Sequence, residues 1–189
     1  MPPDSEDFRD GLPFLGGALW LDLLNTTPVI GGHPMDLIDD QTKLAHWQGL
    51  AGLPEQSSDV SETLTLRDAL RPMVDRLAAG LNVPEPLVAL VNRHLARTPI
   101  TRQLDAAATP PRLVEQCDPP GLAGRAALDF ARFLGDFEPG RLKHCQNPAC
   151  TMVFYDRGKN NRRRWCSTSA CGNRDKVANY RARKAAKGA

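Results

Sequence analysis

Cys145, Cys150, Cys166 and Cys171 fall in two short loops, Cys145-Gln-Asn-Pro-Ala-Cys150 and Cys166-Ser-Thr-Ser-Ala-Cys171, separated by fifteen residues. Two cysteine pairs at C-x4-C-x15-C-x4-C can deliver four thiolates to one tetrahedral ion. Each loop gathers its own pair, and the hairpin between them gathers the two pairs. Such a site is closed. A catalytic zinc keeps a water in its fourth position, so four cysteines imply one structural Zn²⁺ that does no chemistry. Two disulfides are the alternative reading of the same thiols. No apolar stretch behind a basic N-terminus marks the chain for export, so the thiols are expected to stay reduced in a cytoplasmic protein. Cys117 stands apart and reads as a small buried hydrophobe.

The charge around those thiols is lopsided. From Arg141 to Ala189 there are 13 Lys or Arg against two acids, Asp156 and Asp175, while residues 1–140 hold 11 basic residues against 20 acids, so the net +2 hides two opposed halves. A basic module on an acidic body points to a polyanionic partner. A final helix is expected from Ser167 or Arg174 to about Ala186. On it Lys176, Tyr180, Arg183 and Lys187 form one stripe, and Ala178, Ala182 and Ala185 form a small-residue face able to press on the finger. Arg174, Arg181 and Lys184 flank the basic stripe, and Arg162, Arg163 and Arg164 extend it from the hairpin. DNA is the expected partner, with arginine the residue suited to base edges. RNA is the competitor, because Tyr155, Trp165 and Tyr180 among arginines would suit stacking on unpaired bases. A solvated tail without a partner is the bland alternative.

The stretch from Cys166 to Lys184, with Cys171-Gly172-Asn173-Arg174 inside it, resembles the CGNR zinc-finger family. The preceding Val153-Phe154-Tyr155-Asp156 strand, Asn161-Arg162-Arg163-Arg164 and Trp165-Cys166 are similar to that family too. Leu21-Asp22-Leu23-Leu24-Asn25-Thr26 resembles the opening of the ABATE domain that precedes such fingers. The resemblance implies a bacterial regulator of transcription induced by stress, with a DNA-binding finger and a sensing or regulatory N-terminal domain. Gly172 and Asn173 have two readings, loop shape or nucleic-acid contact: glycine permits a left-handed turn and asparagine can bond to nearby backbone.

The elements that must position these residues follow from periodicity and punctuation. Met1 to Gly17 reads as a loose surface arm. Ala18 to Thr26 is too continuously apolar for a half-buried strand and fits a short buried helix, with strand as the alternative. A loop follows, with a short strand over Met35–Ile38, then a helix capped by Asp39 or Asp40 and ending near Gly49. A helix is expected from about Val60 to Ala79, with Asp59 and Glu62 at capping-box spacing and a kink or break near Pro72. Another runs from Pro84 to about Ala96. Thr98 to Pro120 reads as a β-hairpin, and Gly121 to Phe137 returns to helix. In the finger, Leu142, Val153, Phe154 and Trp165, with Tyr155, are expected to form the apolar layer behind the zinc, and Gly158–Asn161 to turn between two strands.

The expected architecture is α+β. A mostly helical body with a small β-hairpin spans 1–140, and a treble-clef-like four-cysteine zinc finger of β-hairpin and C-terminal helix spans 141–189. No enzymatic activity is expected: His33, His46, His94 and His144 are scattered, with no nucleophile signature, phosphate loop or His-Glu-x-x-His motif. Nothing is long and apolar enough to suggest a membrane span. Asp22, Asn25, His46 and Trp47 are candidates to line an effector pocket, with helix capping or core packing the other reading of each and the one preferred. The expected function is a DNA-binding transcription regulator whose body senses a small-molecule effector or a partner, with homodimerisation an open option. An RNA-binding or protein-interaction adaptor is the alternative.

Overall fold

The computed structural model describes residues 7–54 and 57–187, with the backbone alone at 179, 182 and 185–187, so the expected roles of Ala182, Ala185 and Lys187 lie outside the described residues. It is a mixed α/β architecture. Helices α1 (Leu19–Leu24), α2 (Gln41–Leu50), α3 (Val60–Ala78), α4 (Glu85–Ala96) and α5 (Gly121–Phe133) build the body. The sequence of α1, Leu-Trp-Leu-Asp-Leu-Leu, has no polar face to turn to solvent. It packs against α3 and α5 with Trp20, Leu21, Leu23 and Leu24 buried. Trp20 meets Phe130 of α5 edge-on, with ring centroids 5.0 Å apart. Leu66, Leu70, Met73 and Val74 line the inner face of α3, and Leu122, Ala126 and Phe130 that of α5.

Asp40 caps α2 by accepting the Lys43 N–H at 2.8 Å, and Asp59 caps α3 by accepting the Glu62 N–H at 2.7 Å. Glu62 turns its own carboxylate to Arg97. Pro72 does not break α3, which is continuous from Val60 to Ala78. A mid-helix proline costs about 3 kcal/mol. Burial of Leu70, Met73 and Val74 around it outweighs that, at about 1.5–3 kcal/mol for each large side chain.

Two tight hairpins depart from the expected loops. Phe8–Arg9 (β1) pairs with Leu12–Pro13 (β2) around Asp10 and Gly11, whose φ angles are 46° and 74°. Val29–Ile30 (β3) pairs with His33–Pro34 (β4) around Gly31 and Gly32, at 62° and 87°. Left-handed conformation at both central residues makes type I′ turns, which Asp-Gly and Gly-Gly adopt at little cost. The strand therefore lies before Met35–Ile38, not over it. The described part of the arm is not loose: Phe14 and Leu15 are buried, and Ser167 donates to Asp7 at 2.6 Å. Arg67, 3% exposed, forks onto Asp36 at 2.8 and 2.7 Å and reaches Thr26 Oγ1 at 3.1 Å, which ties the β3–β4 segment to α3. Burial pushes the Asp36 carboxyl up, but the bonds from Arg67 hold it below the usual range.

Strands β5 (Ile100–Asp105) and β6 (Arg112–Cys117) form the expected hairpin, largely exposed. Strands β7 (Leu142–His144) and β8 (Val153–Tyr155) pair in the finger and divide their side chains between two cores. Val153 and Tyr155 point one way and, with Leu142, enter the body core, where Tyr155 meets Phe133 at 4.9 Å. Phe154 points the other way and packs with the cysteines, Leu15 and Met152. The alternation of a strand dictates this split. The expected single apolar layer behind the metal is thus corrected: only Phe154 and Trp165 of the five named residues lie there. After β8 the chain is irregular, so the Gly158–Asn161 turn does not join two strands. Asp156 organises it instead, accepting Lys143 Nζ at 2.9 Å and the N–H groups of Gly158 and Arg163 at 2.9 and 2.8 Å.

Asp22 accepts the Gly16 N–H at 2.7 Å. Gly16 itself has no room for a side chain, since an added Cβ would lie 2.3 Å from Leu21 Cβ. Burial pushes the Asp22 carboxyl from 3.8 up to about 6, despite the Gly16 bond. A carboxyl raised in the folded state binds protons that the unfolded chain does not hold, so its burden on stability appears as pH rises through 4 to 6 and is complete above about 6. That shift corresponds to about 3 kcal/mol. Asp22→Asn should therefore raise the thermal midpoint at about pH 7.5 and leave it unchanged near about pH 4, read by calorimetry across that range. Equal effects at both pH values would refute a charged, buried Asp22.

Candidate metal centre and cationic surface

The ligand atoms of Cys145, Cys150, Cys166 and Cys171 all lie within 4.8 Å of one another. Cys150 Sγ is 3.7 Å and Cys171 Sγ 3.6 Å from Cys166 Sγ. A disulfide needs about 2.05 Å. A tetrahedron with metal–sulfur bonds of about 2.3 Å has edges of about 3.8 Å, which these distances match. All five cysteines are free, and Cys117 lies in β6, away from the cluster.

Local structure builds this cluster from both ends. The tip of the β7–β8 hairpin carries Cys145 and Cys150, with the Cys145 N–H bonded to the Met152 carbonyl at 2.9 Å. The Gln146 N–H bonds to the Arg164 carbonyl at 3.0 Å and stitches the first loop to the second. The Cys166 N–H points at Cys145 Sγ, 3.5 Å away, as a backbone donor to a thiolate does. The second pair ends in a π-turn, Thr168–Gly172, which runs into α6 (Asn173–Lys187). Donating to Cys150 and Cys171 pushes the Cys166 thiol up, whereas accepting from Cys150 and Cys166 holds Cys171 low. Four such thiols can all ionise only around a cation.

A family model for the CGNR zinc finger matches residues 141–184. A second, for the ABATE domain, described as "Putative stress-induced transcription regulator", matches residues 17–136, well over half of the chain. The chain belongs to the ABATE family. A search of curated proteins finds no match. Among the described residues no helix is long and apolar enough to cross a membrane.

The Cys171-Gly172-Asn173-Arg174 motif of this ABATE protein divides into distinct jobs. Gly172 does not use the left-handed conformation that glycine permits. The Trp165 ring lies where a Cβ would meet it at 3.3 Å, so glycine is there for close packing. Asn173 Nδ2 donates to the Ser169 carbonyl at 3.0 Å, closing the π-turn. Arg174 is exposed and lines a groove.

The other sequence candidates separate in the same way. Lys176, Tyr180, Arg183 and Lys184 are exposed on α6. Arg174 and Arg181 are also exposed but belong to a different face, together with Val177 and Ala178, at i, i+3, i+4 and i+7. Ala178 is exposed and does not press on the finger. Arg163 is occupied structurally: its guanidinium bonds to the Trp165 and Cys166 carbonyls and lies 4.4 Å over the Phe154 ring. Arg164 lies over Trp165 at 5.2 Å, and Arg162 is exposed. Tyr155 is buried, with its hydroxyl accepting the Glu138 N–H at 3.1 Å, which removes it from any stacking surface.

Of the two readings of Asp22, Asn25, His46 and Trp47, the effector pocket is corrected, and packing holds for Asn25 and Trp47. Asn25, 1% exposed, donates from Nδ2 to the Val153 carbonyl at 2.8 Å and accepts the Val153 N–H on Oδ1 at 2.9 Å. Trp47 is fully buried and stacked on Phe14 at 5.5 Å. Asp22 holds Gly16, and His46 pairs with Asp10 on the surface at 2.9 Å. None of the four lines the large cavity found among the described residues, because polar side chains beside a buried helix are consumed by backbone groups that would otherwise go unpaired. That cavity, about 980 Å³, lies instead between α6, the two I′ hairpins and the first cysteine loop. Sequence reasoning missed it, although Asp10-Gly11 and Gly31-Gly32, each flanked by short apolar segments, carried a hairpin signal.

Proposed function

We propose that this chain is a zinc-containing, DNA-binding transcription regulator, with one Zn²⁺ held by Cys145, Cys150, Cys166 and Cys171 and the outer face of α6 as its DNA-contacting surface. The gathering of all four thiols within 4.8 Å, with two of their separations at 3.7 and 3.6 Å, carries the zinc assignment. The solvent-facing stripe of Lys176, Tyr180 and Arg183, with Lys184 beside it, supports the DNA assignment: an exposed helix with a cationic outer face suits a groove of duplex DNA. Duplex DNA is favoured over unpaired RNA because Tyr155, one of the three aromatic side chains a stacking surface would use, is buried in the body core. Zinc shapes the finger and performs no chemistry, and the body acts as the sensing part.

The test is selection of genomic fragments by zinc-loaded protein at near-physiological salt, repeated with Lys176→Ala/Arg183→Ala. The expected result is enrichment of one motif, with affinity falling at least about tenfold in the variant and falling steeply as salt rises. Uniform recovery of all fragments, equal in the variant, would refute a sequence-reading finger.

A further inference from the structure

The groove beside the metal centre has a composition that selects its occupant. One wall is the Arg174, Val177, Ala178 and Arg181 face of α6; the other is built from the β1–β2 and β3–β4 hairpins, with Leu15 and Met152 in the floor. Ile30 and Val177, both lining it, are 50% and 48% exposed, an apolar surface left open to water. Among the described residues no Asp, Glu or Lys lines it. Its charged side chains there, apart from the thiols, are Arg174 and Arg181, two turns apart on the same helix face with Val177 and Ala178 between them. At about 980 Å³ it falls within the size range of small-molecule sites.

We propose that this groove binds a small amphipathic anion, with its apolar part against Ile30, Leu15, Met152 and Val177 and its acidic head group paired with Arg174 and Arg181. An apolar ligand without charge would leave both guanidinium groups unmatched, and a cation would be repelled by them. A carboxylate over Val177 and Ala178 can be reached by both long arginine side chains, through charge-assisted hydrogen bonds. This gives a place and a chemical class to the sensing part of the proposed function, and rests on that reading only for its regulatory consequence. Because α6 forms one wall and the body hairpins the other, the bound anion fastens the DNA-facing helix to the body. The two functions use opposite faces of α6, with Arg174 and Arg181 turned to the groove and Lys176 and Arg183 to solvent.

The experiment is calorimetric titration of the zinc-loaded full chain with decanoate below its micelle concentration. Decyltrimethylammonium is the chain-matched cation and acetate the head group alone. One decanoate per chain is expected, with neither control binding. Arg174→Ala/Arg181→Ala should weaken it at least about tenfold, and Ala178→Trp, which fills the groove from an exposed position, should abolish it. Lys176→Ala/Arg183→Ala should bind decanoate as the parent does. Unchanged zinc content and far-ultraviolet dichroism keep a loss from being one of folding. Equal uptake of the cation, unchanged binding in both groove variants, or association with phosphatidylglycerol vesicles in place of decanoate would each overturn the proposal. Failure of the DNA selection leaves this titration untouched, so the two readings fail separately.

Discussion

Removing the metal is expected to unfold more than the finger. Apparent binding energies of structural zinc in finger peptides are about 10–16 kcal/mol, comparable to the whole stability of a small domain at about 5–15 kcal/mol. The layer around the four thiols is small, namely Leu15, Met152 and Phe154 with Phe8 and Trp165 at its edge, and cannot hold its shape alone. Leu15 and Phe8 belong to the N-terminal arm, so loss of the layer frees the arm, and with it one wall of the groove. Chelation, or Cys166→Ser, should therefore abolish binding of one zinc per chain, lower the thermal midpoint by more than about 10 °C, and open the segment around Phe8–Leu15 to proteolysis. Cobalt in place of zinc should give the visible bands of a tetrahedral thiolate site. A protein that keeps its midpoint and its protected arm after chelation would show that the four thiols are not a structural centre.

Asn25→Ala is expected to cost about 2–5 kcal/mol, because it strands both the N–H and the carbonyl of Val153 in the core. The Asn25 amide acts as a neighbouring strand would, offering one donor and one acceptor to the buried edge of β8 that β7 leaves unpaired. The tie spans 128 residues and is the most direct polar link between α1 and the finger. His144 with Asp75 at 3.0 Å and Thr151 donating to the Thr27 carbonyl at 3.1 Å are exposed and contribute less. The variant should unfold at least about 5 °C below the parent and show faster amide exchange in β7 and β8. Asn25→Ala with an unchanged midpoint but weakened ligand binding would return Asn25 to a pocket role.

The family signature near the N-terminus thereby gains a physical account. In Asn25-Thr26, asparagine holds the finger strand and threonine receives Arg67, whose other bonds fix the β3–β4 segment. Leu21, Leu23 and Leu24 fill the core around them. These are positioning roles, and they explain why reading Asp22 and Asn25 as ligand contacts fails: in a helix with no solvent face, polar side chains meet backbone before they meet a ligand.

What the sequence determined by itself was local. The four thiols are gathered by two short cysteine spacings, helices α3, α4 and α5 by their own periodicity, and the basic end by composition; none of these needs a distant partner to be recognised. Tertiary structure alone decided how those parts are shared. It sent Val153 and Tyr155 into the body core and Phe154 to the metal, spent Asn25 on a strand 128 residues away, and turned Arg174 and Arg181 to a groove while Lys176 and Arg183 face water. The physical reason is that spacing along a strand or helix says which side chains share a face, whereas what that face meets depends on surfaces brought in from elsewhere in the chain.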